Sequence, residues 1–428
     1  MKTISILFIS IIFAGMMMPA EIQAIPAFAR KYGFNCAMCH TAYPKLNDFG
    51  QRFRDNGYQI PGQQGNEKTV FDSPLPISLR TSFGSTTYNN EKGTTTGFNL
   101  YALDFLAAGV LHKNISFLMI YTPRIDDPAN IFSGPDSTKS NAVQLGTLES
   151  VSLIFSNIIK DALNIRIGRF EPAYHVFSSK RSYYLFEPYE IYTLTTPNNS
   201  FVFDDNQIGI EATGHFKFGL KYAAGFVNGN GGNPDNNNSK DIYLNIVQTI
   251  GRGDGQSAGQ RIGVFGFYGW QPLDLPGDVI DPITGNTNGS NNNAFYRYGA
   301  TGSFNWKTLN LQLMYMKGVD DKAFNSLDPS KSYEYSGGII ALDYAGLFNN
   351  RLVASAMYNW RNTPSFNLPE RSGHSESDVN AYSLLVRYYL GDLSAINIAI
   401  HAEYTYRVTG YDTKFKENIF ALALDFAL

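Results

Sequence analysis

From Leu75 onward the apolar residues recur at every second position and almost nowhere at every third or fourth. The last stretch is the clearest. Phe420, Leu422, Leu424, Phe426 and Leu428 fall on one face of an extended chain, opposite Ala421, Ala423, Asp425 and Ala427. Successive side chains of a β-strand point to opposite faces, so this pattern predicts a strand with one oily face and one polar or small face. The same alternation runs from Ile396 to Arg407, from Gln207 to Thr213 and from Leu309 to Met316. Followed along the chain, it predicts about sixteen strands. They span 75–87, 96–110, 114–123, 143–157, 163–171, 206–216, 218–228, 240–250, 260–270, 293–305, 308–319, 332–345, 350–361, 379–390, 395–407 and 417–428. Most approach the ~9 to 11 residues that a tilted strand needs to cross a bilayer.

The connections alternate too. Short links fall around His112-Lys113, Lys160-Asp161, Lys217, Trp306-Lys307, Asn349 and Gly391-Asp392. Between them run long links, 124–142, 172–205, 229–239, 271–292 and 362–378, rich in Asn, Gly, Pro and Asp. Short turns at one end and long loops at the other predict an all-β fold, an antiparallel up-and-down outer-membrane β-barrel. If the first strand rises from the periplasm, the long loops lie outside and both termini lie on the periplasmic side. Two features depart from this scheme: link 251–259 is long for a short turn, and the chain closes on Leu428 rather than Phe. A soluble sandwich or propeller is the competing fold, but it would turn these oily faces inward and would rarely end on an alternating aromatic strand.

Composition agrees, with 31 Phe, 27 Tyr and 39 Gly at a hydrophobic fraction of only 43%. A net charge of −3 without a basic run argues against a nucleic-acid partner. Residues 1–24 read as a secretory signal peptide: Lys2, an apolar run from Ile4 to Met18, then Ile22-Gln23-Ala24 as the cleavage site, with Ala20 as the alternative. The chain thus divides into 1–24, a segment 25–74 and the barrel 75–428.

The segment 25–74 carries the chemistry. It holds the only two cysteines of the chain, in the order Cys36-Ala37-Met38-Cys39-His40. This is the C-x-x-C-H attachment pattern of c-type haem. Two thiols on one turn can form thioethers to the two vinyl groups, and the adjacent imidazole reaches the iron. A thioredoxin-like site would need a βαβ pattern, and a zinc site would need further clustered ligands, whereas the next histidine is His112. A plain disulfide leaves His40 unexplained. Leu46, Phe49 and Phe53 recur at helical spacing and predict a short helix with its apolar face toward the porphyrin. Arg52 and Arg54 are possible partners of the propionates, since Arg pairs bidentately with carboxylates; a solvated helix face is the alternative. A carbonyl near Pro44 is placed to accept the His40 imidazole N–H. The segment is a meagre core for an independent domain, which predicts a mainly α plug leaning on the barrel.

Phe28-Ala29-Arg30 before the motif, then Pro44, Leu46, Phe49-Gly50 and Asn56-Gly57-Tyr58 after it, followed by a barrel, resemble the outer-membrane fused monohaem cytochrome–porins of the iron(II)-oxidising type. The motif match covers about residues 25 to 62; the barrel matches as architecture. The resemblance implies one covalent haem c on Cys36, Cys39 and His40, with the small cytochrome in the barrel lumen. It implies electron transfer from an extracellular donor such as Fe(II) to a periplasmic cytochrome or other carrier, and so an iron(II):cytochrome c oxidoreductase. An outward conduit, a solute porin with a haem-bearing plug and a peroxidase-like enzyme are the competing readings. No distal iron ligand stands out. His215, His401, Met314, Met316 and Met357 face the lumen by strand parity, and His175 lies just beyond a strand. Asp126 with Asp127, or Asp204 with Asp205, would offer hard oxygen ligands to Fe(II).

Overall fold

The structure is a computed structural model that describes residues 27–34, 36–72, 77–123, 147–174, 177–185, 189–251, 260–273, 292–325, 328–348, 351–364, 378–393, 396–411 and 414–427. The signal peptide, link 252–259, Asp126, Asp127 and His175 fall outside them.

Sixteen strands close into one antiparallel barrel. In chain order they are β3 (Ile77–Asn90), β4 (Gly93–His112), β5 (Ile115–Thr122), β6 (Thr147–Phe155), β8 (Asn164–Phe170), β9 (Gln207–His215), β10 (Leu220–Val227) and β11 (Asp241–Ile250), and then β12 (Gln260–Pro272), β13 (Asn292–Trp306), β14 (Leu309–Asp320), β15 (Tyr333–Leu347), β16 (Leu352–Asn362), β17 (Val379–Leu393), β18 (Ile396–Thr409) and β19 (Phe415–Ala427). The remaining strands β1 (His40–Ala42), β2 (Lys45–Leu46) and β7 (Ile158–Asp161) lie outside the ring. Every barrel strand lies within four residues of its predicted ends. The seam is β19 on β3, from Glu417 opposite Asn90 to Ala427 opposite Arg80. Closure pairs every edge, so no ladder of unpaired backbone groups is left open.

Parity decides what each face meets. On β19, Phe420, Leu422 and Leu424 point outward and are exposed, while Ala421, Ala423 and Asp425 are buried inside. The same division puts Met314 and Met316 inside and Tyr315 outside on β14, and Leu385 and Arg387 inside and Leu384 and Val386 outside on β17. The short turns after β4, β8's predecessor β7, β9, β13 and β15 lie together at one end. Lys113, Lys160, Lys307 and Phe348 take positive φ there, as tight hairpin reversals require.

One predicted outer loop behaves differently. The connection between β8 and β9 does not project outward; its described residues fold into the lumen. Tyr174, Tyr183, Tyr184, Tyr189, Ile191, Tyr192, Leu194, Phe201 and Phe203 are all buried there. They pack with Phe265, Phe267, Phe295, Met314 and Met316 of the wall into one aromatic core. The loop is anchored across the barrel: the Tyr184 hydroxyl donates to Ser355 (2.8 Å), the Leu185 N–H to Glu403 (2.8 Å) and the Glu190 N–H to Asn359 (3.0 Å). An apolar loop of this size is driven inward, because outside it would face water.

Candidate functional site

The C-x-x-C-H segment is built from short elements. Helix α1 spans Ala27–Tyr32, α2 spans Cys36–Cys39, and His40 opens the two-stranded β1–β2 turn that leads into α3 (Asp48–Asp55). Asn47 ties these pieces together. Its side-chain oxygen caps α3 by accepting from the Gly50 N–H (2.9 Å). Its side-chain amide donates to the Met38 carbonyl (3.1 Å), and its backbone N–H donates to the Cys39 carbonyl (2.9 Å). Gly50 is needed for the same approach: a Cβ there would lie 2.1 Å from the Cys39 carbonyl oxygen, which is backbone and cannot yield. Phe49 and Phe53 lie on α3 as the spacing predicts, but Leu46 belongs to β2 instead. Phe53 packs with Phe28, Tyr32, Tyr58 and the wall residues Ala108 and Ile154, so part of that apolar face rests on the barrel and not on a cofactor.

Around α3 the described part of the segment is seated inside the barrel at the short-turn end. Asp55 at the end of α3 accepts from Lys221 of β10 (2.7 Å) and contacts His215 of β9 through Nε2 (2.9 Å), with Arg54 alongside (2.9 Å). Burial by itself would raise the Asp55 carboxyl, but Arg54, Lys221 and His215 together hold it well below the usual carboxylate range. On other sides Lys45 pairs with Asp343 of β15 and donates to Asn310 of β14 (3.2 Å), and Gln59 donates to Ser156 (3.0 Å). Asn164 of β8 donates to Asn56 (3.2 Å), and the Tyr389 hydroxyl of β17 donates to the Tyr43 carbonyl. Contacts therefore run round most of the wall, and the plug position expected from the segment's small size is what the structure contains.

At the motif itself, His40 Nδ1 lies 3.1 Å from the Pro44 carbonyl oxygen. A carbonyl can only accept, so Nδ1 carries the proton and the neutral ring keeps its lone pair on Nε2. Burial lowers His40 to about 4, against the bonds to Pro44 and Lys45, and the Arg181 charge adds to that lowering. Burial pushes the Cys39 thiol up to about 11. The Cys36 side chain is outside the described residues. Arg52 pairs with Asp48 (3.0 Å) on a half-exposed surface, and Arg54 with Asp55. Both also border a cavity of about 160 Å³ between the segment and the inward loop, whose wall includes Thr41, Leu46, Arg181, His215, Arg261 and Met357. Arg181, absent from the sequence reading, reaches this cavity from the loop and pairs with Glu171. The signal that would have found it is the run of tyrosines flanking Arg181, too apolar for an outer loop.

The lumen candidates are all inside, as parity predicts, yet they are differently occupied. His215 is committed to Asp55. His401 is fully buried between Glu403 (3.0 Å) and Asp425 (3.5 Å). Met314 and Met316 sit within the aromatic core, and Met357 borders the cavity. Asp204 is not an open loop ligand: both its oxygens accept from the Ser179 hydroxyl (2.6 and 2.8 Å), and burial first, with nearby Glu171 and Asp205, raises its carboxyl to about 7. Among the described residues no group of three or more His, Cys, Asp or Glu side chains is arranged to hold a metal ion.

No family model and no curated protein matches the chain. Solved structures do. The anion-selective porin of Comamonas acidovorans is 10% identical with a TM-score of 0.56, over 83% of this chain and 99% of that one. The outer membrane channel DcaP of Acinetobacter baumannii is 8% identical with a TM-score of 0.54, over 83% and 97%. OmpT of Vibrio cholerae is 12% identical with a TM-score of 0.51, over 82% and 99%. At these identities the likeness is one of fold, and by that fold the chain is a porin-like closed β-barrel.

Proposed function

We propose that this chain is an outer-membrane electron-transfer protein of the fused cytochrome–porin type. It would pass electrons from an extracellular donor, Fe(II) foremost, to a periplasmic cytochrome or similar carrier. Cys36 and Cys39 would hold one haem c through thioethers, and His40 would bind its iron. Bound there, the haem supplies a one-electron redox centre. The observation that carries the reading is the His40–Pro44 bond inside a segment seated in the lumen. It orients the ring and leaves Nε2 ready to coordinate, as the partner of a metal-bound imidazole does. Asn47 and Gly50 hold the motif against α3, and the buried aromatic loop would keep water from the upper lumen. The exposed apolar outer face supports placement in the outer membrane; with the long loops outside, both termini would lie on the periplasmic side.

A second reading is a solute porin whose haem segment is only a plug. The likeness to porins favours it, as does a cavity bordered by Lys45, Arg52, Arg54, Arg181, Lys221 and Arg261, which would suit an anion. The separating experiment is the visible spectrum of the matured protein before and after anaerobic Fe(II), beside a Cys36→Ala, Cys39→Ala variant. The expected result is a c-type band that Fe(II) reduces and that the variant lacks. No band in properly matured protein would sink the cytochrome reading. A band untouched by Fe(II) would redirect it to another donor or to outward flow, and porin-sized conductance would favour the second reading.

A further inference from the structure

The end of the barrel that carries the short turns has a repeating surface chemistry not yet accounted for. Lys113 lies at the β4–β5 turn, Lys160 at the β6–β8 turn, Lys217 at the β9–β10 turn and Lys307 at the β13–β14 turn, all exposed. Among the described residues none of the four has a carboxylate within 4.0 Å. Toward the long-loop end Lys180, Lys240, Lys317 and Lys331 pair with Glu149, Asp235, Glu334 and Asp328, while Lys92, Lys322, Lys414 and Lys416 have no such partner among the described residues, so it is the apolar company of the short-turn lysines that sets them apart. Beside the unpaired lysines stand some of the most exposed large apolar side chains of the molecule: Ile159 (62%), Phe218 (67%), Trp306 (68%) and, at the next turn, Phe348 (66%). Lys307 lies over the Trp306 ring, 5.7 Å from its centroid.

We propose that this rim is a binding belt for anionic phospholipid headgroups in the leaflet at the short-turn end. The proposal rests on the outer-membrane reading of the barrel. Two features select lipid over an acidic protein. Three of the four cations, Lys160, Lys217 and Lys307, stand beside an exposed apolar residue, Ile159, Phe218 and Trp306, which places a charged tip at the headgroups and an oily body at the acyl boundary. Lys113, Lys160 and Lys217 lie at three successive short turns, roughly 10 Å apart from the spacing of two strands, and Lys307 lies at the next but one, so the sites spread over much of the circumference. A leaflet surrounds a barrel in that way, whereas a docked protein covers one side or the mouth.

The test is lipid selectivity measured by electron spin resonance with spin-labelled phosphatidylglycerol and phosphatidylcholine. The full chain is reconstituted in phosphatidylcholine vesicles, with insertion checked by heat-modifiable migration and circular dichroism. The comparison is a Lys113→Gln, Lys160→Gln, Lys217→Gln, Lys307→Gln variant, with the corresponding Lys→Arg variant as the charge-preserving control. A surface cation attracts an anionic headgroup by roughly two- to fivefold after screening, so a preference of that size for phosphatidylglycerol is expected. It should persist in the Arg variant and fall to about parity in the Gln variant and in ~1 M salt. Equal selectivity in native and Gln protein overturns the proposal. Failure of the native chain to insert overturns the membrane reading itself, and this proposal with it.

Discussion

Asp55 is the residue on which the seat of the plug depends, and Asp55→Asn is the perturbation that measures it. In the native protein one carboxylate, 5% exposed, meets Lys221 at 2.7 Å and His215 at 2.9 Å, with Arg54 at 2.9 Å. Neutralising it leaves Arg54 and Lys221 without their carboxylate in a site where Lys221 is 17% exposed. Removing one partner of a fully buried pair costs about 3–5 kcal/mol; residual exposure at Lys221 and Arg54 reduces this to roughly 2–3 kcal/mol. That is about a 30- to 150-fold rise in the population of the undocked segment. Native-state hydrogen exchange reads this population directly where reclosing is faster than exchange. The amides of Gln51, Asn56 and Tyr58, bonded to Asn47, Arg52 and Phe53, should lose protection by that factor, while those of β14 to β19 should not change. A double-mutant cycle with Lys221→Gln should show a coupling of at least about 1 kcal/mol. Unchanged protection of these three amides in a variant with an intact barrel would refute the argument.

Three further outcomes follow from the same geometry. Gly50→Ala drives a Cβ into the Cys39 carbonyl, so the motif and α3 must separate; expected is matured protein with little or no c-type absorbance but a normal barrel by circular dichroism. In haem-free protein, His40 stays neutral while an unfolded histidine charges below ~6.5. Its docking contribution is therefore complete above that pH and is lost as pH falls toward about 4, by up to ~1.4 kcal/mol per unit. Hydrogen exchange of α3 should follow this slope more steeply in the native chain than in His40→Gln, while Asp55, held well below the usual range, stays ionised in that window. Tyr192→Ala with Phe203→Ala removes two buried rings 5.1 Å apart from the inward loop, each worth roughly 3–5 kcal/mol of local packing. Planar-bilayer conductance should rise well above that of the native protein, and equal conductance would mean that the loop does not seal the lumen.

The division of labour between sequence and tertiary structure follows from range. Strand periodicity is a local property with period two, so all sixteen strands and the inward or outward direction of His215, His401, Met314, Met316 and Met357 were legible along the chain. The C-x-x-C-H pattern was legible because its residues are adjacent in the chain. So was the acceptor near Pro44, four residues from His40. What sequence could not supply were pairings across the lumen: Asp55 with Lys221 is a meeting of residues far apart in the chain, created only when the sheet closes. The same closure turns the 172–205 connection, an expected outer loop, inward, where its described residues form a buried aromatic core. A linear pattern records which side of a strand is oily. It does not record how much space a closed barrel leaves inside, and that space, which water or protein must fill, decides where the N-terminal segment and the aromatic loop come to rest.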